Sequence, residues 1–388
     1  MGRTVTLILV DAAGTPLGAL PPLALALPWW QEAGDVVAAA RDTFGLDVQV
    51  LRLLEADLPH APGGHLTLLA QADEVPAVAL TPYEIDLSPH PLRAPWAVPG
   101  GPAASVAWAR AAAGRDDLVA SQQRSWNLSA IWRLDAAGEP VAWLKQVPLM
   151  FAHEPAVLRL VDGFAPGLVP TLLATGDLGR SLLAHVPGED RYEGGAGLCA
   201  EVARDIHRVQ VHFAGRVADL LAAGVPDRRR EADHMIRVAE PFLEEIDGLA
   251  DLIDELPARL AEIDACGLPD TLVHGDLHLG NVRADGTTRV IVDWGDASVA
   301  HPAYDILRLT DTFSPEEAEP LLREWAQRWQ EAMPGSDPAR AVALIAPIAA
   351  LRGAVTYATF LDHIEPSEHP YHRDDVPACL AAAVRLRT

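Results

Sequence analysis

The stretch from Thr271 to Asp296 constrains this chain more than any other. Thr271-Leu272-Val273 and Arg289-Val290-Ile291-Val292 are short runs of strand-forming residues, apolar enough to be buried. Between them, His274-Gly275-Asp276-Leu277-His278-Leu279-Gly280-Asn281 sets a carboxylate in a turn, and an amide follows five residues later. A second carboxylate, Asp293, ends the second run, twelve residues beyond Asn281. Hard divalent cations take oxygen donors such as these. The rest of the chain must then build one cleft above this loop and another beside it.

At 388 residues the chain is too long for one ordinary core, so two or three domains are expected. Its 49% hydrophobic and 22% charged residues exclude a disordered chain. A net charge of −24 argues against a nucleic-acid partner, which needs basic patches, and permits a cationic substrate. Cys199, Cys266 and Cys379 are far apart and odd in number, and none lies in a CxxC pair. They point to a reducing compartment, with no disulfide frame and no zinc site. The apolar run after Met1 is cut off at Asp11, too early for a signal peptide. Pro21, Pro22 and Pro28 interrupt the stretch from Leu17 to Trp30, so it cannot span a membrane as a helix. The expectation is a soluble, cytoplasmic protein with no membrane partner; oligomeric state is not legible.

In chain order, Thr4 to Val10 reads as a strand and Asp35 to Phe44 as a helix, capped by Asp35 and ended by Gly45. Strands over Val48 to Leu54 and His65 to Ala72 complete a small α+β domain over residues 1–95. Five prolines between Pro89 and Pro102 read as a linker or extended edge. A helix follows from Ala104 to Ala113, with Ser105 as its cap. Two strands around Asp135-Ala136-Ala137-Gly138 form a hairpin, entered through Ser125-Trp126-Asn127-Leu128-Ser129. Val169 to Ala174 and Arg180 to Gly188 read as two more strands, the second running into a Pro-Gly hinge. From Ala196 onward the pattern is helical: Leu198 to Leu221, Glu231 to Ile246, Leu249 to Ile263, then Pro315 to Met333, Pro338 to Phe360 and Val376 to Leu386. His207 and His212 read as packed or surface residues, and Asp362 to His372 as a solvated loop or substrate-facing rim.

Ala142-Trp143-Leu144-Lys145 is a strand that is apolar up to its lysine. A buried lysine needs a partner, and Glu154, at the start of the next helical stretch, is the nearest candidate. Phosphoryl transfer requires a group that positions the attacking hydroxyl, oxygen ligands for magnesium and a cation on the nucleotide phosphates. Asp276, the pair Asn281 and Asp293, and Lys145 match those parts in turn. Ser125 and Asn127 lie in a loop whose small polar side chains and backbone N–H groups suit a phosphate. The hinge backbone at Ala184 and Val186 suits an adenine.

His274-Gly275-Asp276-Leu277-His278-x-x-Asn281, Ile291-Val292-Asp293-Trp294 and Pro302-x-x-Asp305 together resemble the aminoglycoside phosphotransferase and choline kinase superfamily. The resemblance covers residues from about 100 to the end. It implies an α+β, two-lobed protein-kinase-like fold: a β-rich N-lobe over residues 100–187 and a mainly helical C-lobe over 188–388, preceded by the small α+β domain. It further implies Asp276 as the catalytic aspartate, Asn281 and Asp293 as magnesium ligands, Lys145 on the ATP phosphates steadied by Glu154, and His274 and Asp305 as supports of the loop. The segment before Pro302, often Gly-Asp in that superfamily, is here Ala300-His301.

The expected function is a magnesium-dependent small-molecule kinase using ATP or GTP, its acceptor a hydroxyl of a sugar, amino sugar, aminoglycoside or amino alcohol. The alternative is a kinase-like binding or regulatory protein without efficient transfer. Residues 38–46 faintly resemble the helix of Nudix hydrolases, but the glutamates that hold metal there are here mostly Ala, Thr and Phe. That makes a structural, dimerising or lid-like module, at most a degenerate Nudix-like one, the better reading of the first domain.

Overall fold

The structure, a computed structural model, describes every residue except 1, 73, 75, 76, 230, 287 and 388. The chain divides into two compact units. The first comprises Met1–Ala152, Leu172–His185 and Tyr357–Asp374; the second comprises His153–Thr171, Val186–Thr356 and Asp375–Thr388.

The first unit opens with strands β1 (Arg3–Val10), β2 (Pro16–Ala19) and β3 (Leu23–Leu25), helix α1 (Gly34–Phe44), and strands β4 (Val48–Ala56) and β5 (His65–Ala72). The sheet runs β2-β1-β5-β4, with β3 on β1; β1 and β5 are parallel, and the other pairs are antiparallel. Period-two alternation sends Val5, Leu7 and Leu9 with Leu66, Leu68 and Ala70 into one core, which Val36 and Ala40 of α1 cover. Asp35 does not cap α1. The N-cap is Ala33, and the Asp35 carboxylate instead meets the fully buried guanidinium of Arg3 at 2.7 Å. A buried cation left without an anion costs more than an uncapped helix end.

Helix α2 (Gly101–Ala113) then packs on a second, antiparallel sheet. Its strands are β6 (Val119–Ser125), β7 (Ala130–Ala136), β8 (Glu139–Gln146), β9 (Leu172–Thr175) and β10 (Arg180–Ala184), in the order β6-β7-β8-β10-β9. Ser105 lies inside α2 rather than at its cap, and its hydroxyl donates to Gly101 O and to Gln146 Oε1. Pro102 in the first turn marks the true start.

The first hundred residues are not tethered by a free linker. Gln122 of β6 behaves as a backbone unit, accepting from Val50 N and donating to Val50 O, both at 2.8 Å. Ser125 donates to the same carbonyl, and Ala33 N donates to Gln123 O. Trp96, within the proline-rich stretch, is fully buried. Arg93 beside it holds Glu365 through two bonds of 2.8 and 2.9 Å.

That second contact corrects the reading of Asp362 to His372. Residues Pro366–Tyr371 form a 3-10 turn packed on β4. Glu365, Glu368, Tyr371 and His372 are all buried, while Asp362, His363 and Pro366 remain exposed, so much of this segment is packed rather than a solvated loop. Tyr371 sits edge-on to Trp30 and Trp126 at 5.4 and 5.6 Å.

Burial and then the neighbouring Glu365 push the Glu368 carboxyl up to about 8, against the opposing Leu53 N–H, Arg52 and Arg93. The folded state therefore favours the neutral acid. Its contribution is intact below the ordinary value of 4.5 and is lost progressively as pH rises from there through about 8. Glu368→Gln should accordingly match the parent in melting temperature near pH 4.5 and exceed it increasingly up to pH 8. Melting curves separated by the same interval at every pH would rule this out.

The second unit holds α3 (Glu154–Phe164), β11 (Glu189–Asp190), α4 (Ala196–Ala214), α5 (Val217–Ala222), α6 (Ala232–Ala239) and α7 (Leu249–Ala265). The short strands β12 (Thr271–Val273), β13 (Val282–Ala284), β14 (Arg289–Ile291) and β15 (Ser298–Ala300) follow. Helices α8 (Ala303–Thr310), α9 (Pro315–Ala332), α10 (Pro338–His363) and α11 (Asp375–Arg385) complete the chain, with α10 running on into the first unit. Two small sheets, β12-β15 and β11-β13-β14, are set among these helices. The single helix expected over Leu198 to Leu221 is broken at Gly215, where the weakest helix former after proline interrupts it. His207 is buried edge-on to Trp329, and His212 stacks on Phe164. Helix α10 is long and apolar enough to cross a membrane by length and composition alone. Its Ala341, Ile345, Ile348 and Leu351 are buried in the protein, and a core helix carries the same pattern.

Candidate active site

Strand β12 delivers the chain to the site. It pairs with β15 in the register Val273↔Ser298, and both strands are fully buried. The chain then turns at Gly275, whose φ is +88°. A Cβ there would stand 2.2 Å from Asp296 O, so only glycine fits. Asp305, buried on the first turn of α8, receives the exposed turn backbone: its two oxygens accept His274 N and Gly275 N, each at 3.0 Å. Gln210 of α4 donates to the same carboxylate at 2.9 Å. His274 Nε2 lies 3.0 Å from Val292 O, and its Nδ1 accepts Asp276 N at 3.3 Å. Donation to Val292 thus fixes the tautomer. His274 and Asp305 hold the loop as expected.

Asp276 stands on this platform with its side chain 38% exposed. Arg308 Nε donates to Oδ1 at 2.7 Å. His278 Nε2 and Asn281 Nδ2 lie 3.5 and 3.4 Å from Oδ2. Burial pushes this carboxyl up, but the His278 hydrogen bond and the Arg308 charge outweigh it and hold the group down at about 2. Asp276 is therefore an ionised, oriented acceptor and a weak base.

Asn281 and Asp293 come together through the β13–β14 hairpin. The register Val282↔Ile291 continues into a bond from Val292 N to Asn281 O, which sets the two residues at one end of the ladder. Asn281 is buried, and its amide nitrogen donates to Asp276 O at 3.0 Å, which turns its amide oxygen away from Asp276. Asp293 is exposed and takes a left-handed φ of +64°, uncommon for non-glycine residues but more accessible to Asp than to most. Among the described residues, no group of three or more His, Cys, Asp or Glu is placed to hold a metal ion. A magnesium ion carried on nucleotide phosphates needs only one or two protein oxygens, and this pair fits it.

Glu154, at the start of α3, is 3% exposed and accepts Trp294 N at 3.0 Å. It anchors the segment that follows Asp293, a role the sequence did not suggest. Lys145 lies on β8 in the other unit, between Ile131 of β7 and Ser181 of β10, and is 8% exposed. Trp143, two residues earlier, shares its face of the strand. Its ring stacks on His185 at 6.4 Å, and its Nε1 donates to His185 Nδ1 at 3.1 Å. Ala184 pairs with Ala142 at the end of β10, and the Val186 carbonyl accepts from Arg283 Nε at 3.2 Å.

Ser125 and Asn127 have internal roles. Ser125 Oγ donates to Val50 O, and the Asn127 amide is 3.1 Å from His372 Nε2 and 3.5 Å from Glu368 O. Both residues are buried, so a phosphate would meet this loop through its backbone rather than these side chains. Arg308, His278 and Tyr192 were missed by sequence reasoning. Tyr192 lies across Gly280, where a Cβ would stand 2.1 Å from its ring, and 5.9 Å from the His278 ring. The one available signal was the spacing of Arg308, three residues after Asp305 on a helix.

A family model described as a phosphotransferase enzyme family (APH) matches residues 103–342. Three solved structures illustrate the likeness of fold. A choline/ethanolamine kinase family protein from Mesorhizobium loti has TM-score 0.50 and 17% identity, over 66% of this chain and 84% of that one. A choline kinase from Cryptosporidium parvum Iowa II has TM-score 0.50 and 14% identity, over 70% and 89%. An ethanolamine kinase from Plasmodium vivax has TM-score 0.51 and 11% identity, over 70% and 83%. At these identities the likeness establishes a shared fold. No curated protein matches the chain.

Proposed function

The chain belongs to the phosphotransferase enzyme family, with an α+β protein-kinase-like fold preceded by an N-terminal α+β region, and we propose that it phosphorylates a hydroxyl of a small molecule. The donor in this reading is ATP or GTP, and the acceptor is a sugar, amino sugar, aminoglycoside or amino alcohol. The observation that carries it is the Asp276 carboxylate, held at 2.7 Å by Arg308 yet 38% exposed, next to Asn281 and the loop that bears Asp293.

Asp276 Oδ2 accepts the hydrogen bond of the acceptor hydroxyl and aims its oxygen at the γ-phosphorus. As the new P–O bond forms and the bond to the β-phosphate bridging oxygen breaks, the hydroxyl proton passes to Asp276. With its pKa near 2, the carboxylate takes that proton late, and orientation is its main contribution. Lys145 contacts the nucleotide phosphates, and the hinge backbone at Ala184 and Val186 meets the base. Asn281 and Asp293 hold magnesium, which supplies neutralisation of phosphate charge when bound.

The test is an ADP- and GDP-release screen with magnesium ATP or GTP across sugars, amino sugars, aminoglycosides and amino alcohols. Acceptor-dependent release is expected for one class. A flat response across the panel would favour a kinase-like binding protein instead. On the responding acceptor, Asp293→Ala should move the magnesium dependence to about tenfold higher concentrations or more. An unchanged magnesium titration would remove Asp293 from the ligand set.

A further inference from the structure

Helix α8 contributes more to the site than Asp305. Residues three apart lie on one helix face, so Asp305 and Arg308 project together. Asp305 holds the backbone of His274 and Gly275, and Arg308 reaches the side chain of the next residue, Asp276, through Nε at 2.7 Å from Oδ1. Arg308 is itself held by its Nη1 to Asp311, three residues further along the chain. The guanidinium is thereby bound at two of its nitrogens, and its planar fork has a defined orientation.

The two oxygens of Asp276 are consequently unlike. Oδ1 receives a short, charge-assisted bond from Arg308. Oδ2 has longer contacts, with His278 Nε2 at 3.5 Å and Asn281 Nδ2 at 3.4 Å. His278 Nδ1 accepts Gly280 N at 3.0 Å, and the tautomer that accepts there carries its proton on Nε2, toward Oδ2. Contacts of 3.4 and 3.5 Å lie beyond the ordinary range of about 2.7–3.2 Å for an N–H···O bond, so neither saturates Oδ2, and a closer donor can still reach it at a side chain that is 38% exposed.

We propose that Arg308 is a positioning residue: it locks Asp276 through Oδ1, so that Oδ2 is the oxygen presented to the acceptor hydroxyl. This role rests on the transfer reaction proposed above. The orientation comes from a helix already fixed to the catalytic loop by Asp305, so α8 acts as one template for both the backbone and the carboxylate. Without the guanidinium, Asp276 regains freedom about its side-chain torsions, and the productive geometry becomes one rotamer among several.

The experiment compares Arg308→Ala, Arg308→Lys and Asp276→Ala on the acceptor with the largest ADP release. Arg308→Ala should lower kcat by about 10²-fold, with the nucleotide KM changed by no more than about twofold. Arg308→Lys should fall between Arg308→Ala and the parent, since an ammonium restores charge without the planar fork. Added guanidinium, in the millimolar range, should recover part of the activity of Arg308→Ala and none of that of Asp276→Ala. A purely structural arginine would show neither that rescue nor a selective loss of kcat. Wild-type kcat in Arg308→Ala, alongside an inactive Asp276→Ala, would overturn the role of Arg308 and leave the transfer reaction standing. Turnover retained in Asp276→Ala would overturn the transfer reading and this role with it. Should Arg308→Ala fold poorly by its melting curve, Arg308→Lys decides the matter: parental kcat there, with an inactive Asp276→Ala, is the overturning result.

Discussion

Asp276→Ala is expected to lower kcat by about 10³-fold while nucleotide affinity changes by less than about threefold. The loss follows from the geometry: Asp276 is a half-buried carboxylate of the loop, aimed by donors on both of its oxygens. In the proposed reaction its removal takes away the group that orients the hydroxyl, whereas Asn281 loses only its 3.4 Å contact and keeps its bond to the Asp276 carbonyl, and the pairing of the β13–β14 hairpin is unchanged. Steady-state ADP release gives kcat, and calorimetric titration with a nucleotide gives the affinity. A variant within tenfold of parental kcat would remove Asp276 from the chemistry. A variant that also lost nucleotide binding would show that the residue serves the donor side.

Asp305→Ala should destabilise the protein by about 2–3 kcal/mol. The carboxylate is buried at 1% exposure and accepts from His274 N, Gly275 N and Gln210 Nε2. Alanine leaves the buried His274 N without this acceptor, at a cost of about 1–3 kcal/mol, whereas Gly275 is exposed to water and Gln210 Nε2 keeps a longer contact with Pro302 O at 3.4 Å. Turnover should fall too, because the two backbone groups belong to the turn that carries Asp276. Asp305→Asn keeps one acceptor oxygen and should lose less. Urea unfolding of the three proteins measures this directly, and an unchanged midpoint for Asp305→Ala would contradict it.

The local form of the loop around Asp276 was legible because its constraints are local. Gly275 answers a turn that brings its own backbone against Asp296, and the interval from Asp276 to Asn281 is closed by a bond from Asn281 Nδ2 to Asp276 O. The strand at His65–Ala72 and the helix read over Pro315 to Met333, which ends at Ala332 and is started by a Ser314–Glu317 capping box, were equally readable. Misreadings arose where a distant partner decided. Asp35 left its cap for Arg3, 32 residues away, and Ser105 turned to Gln146, 41 residues away. The histidine- and glutamate-rich run near residue 368 looked solvated because its partners, Arg93, Leu53 and Asn127, lie more than two hundred residues earlier.

By itself, the sequence determined the chemistry available to this protein. Asp276, Asn281 and Asp293 stand at intervals set by one turn and one hairpin, and such short-range geometry is encoded in consecutive residues. It likewise showed a β-rich part giving way to a helical one, since hydrophobic periods of 2 and 3.6 are local properties. Tertiary structure alone decided how that chemistry is aimed. Arg308 fixes one oxygen of Asp276 across 32 residues, and Glu154 anchors Trp294 across 140. It also decided that the N-terminal module is hydrogen-bonded to β6, through Gln122 and Val50. Such contacts depend on where whole elements come to rest. Packing and the satisfaction of buried polar groups determine that placement, and no spacing along the chain records it.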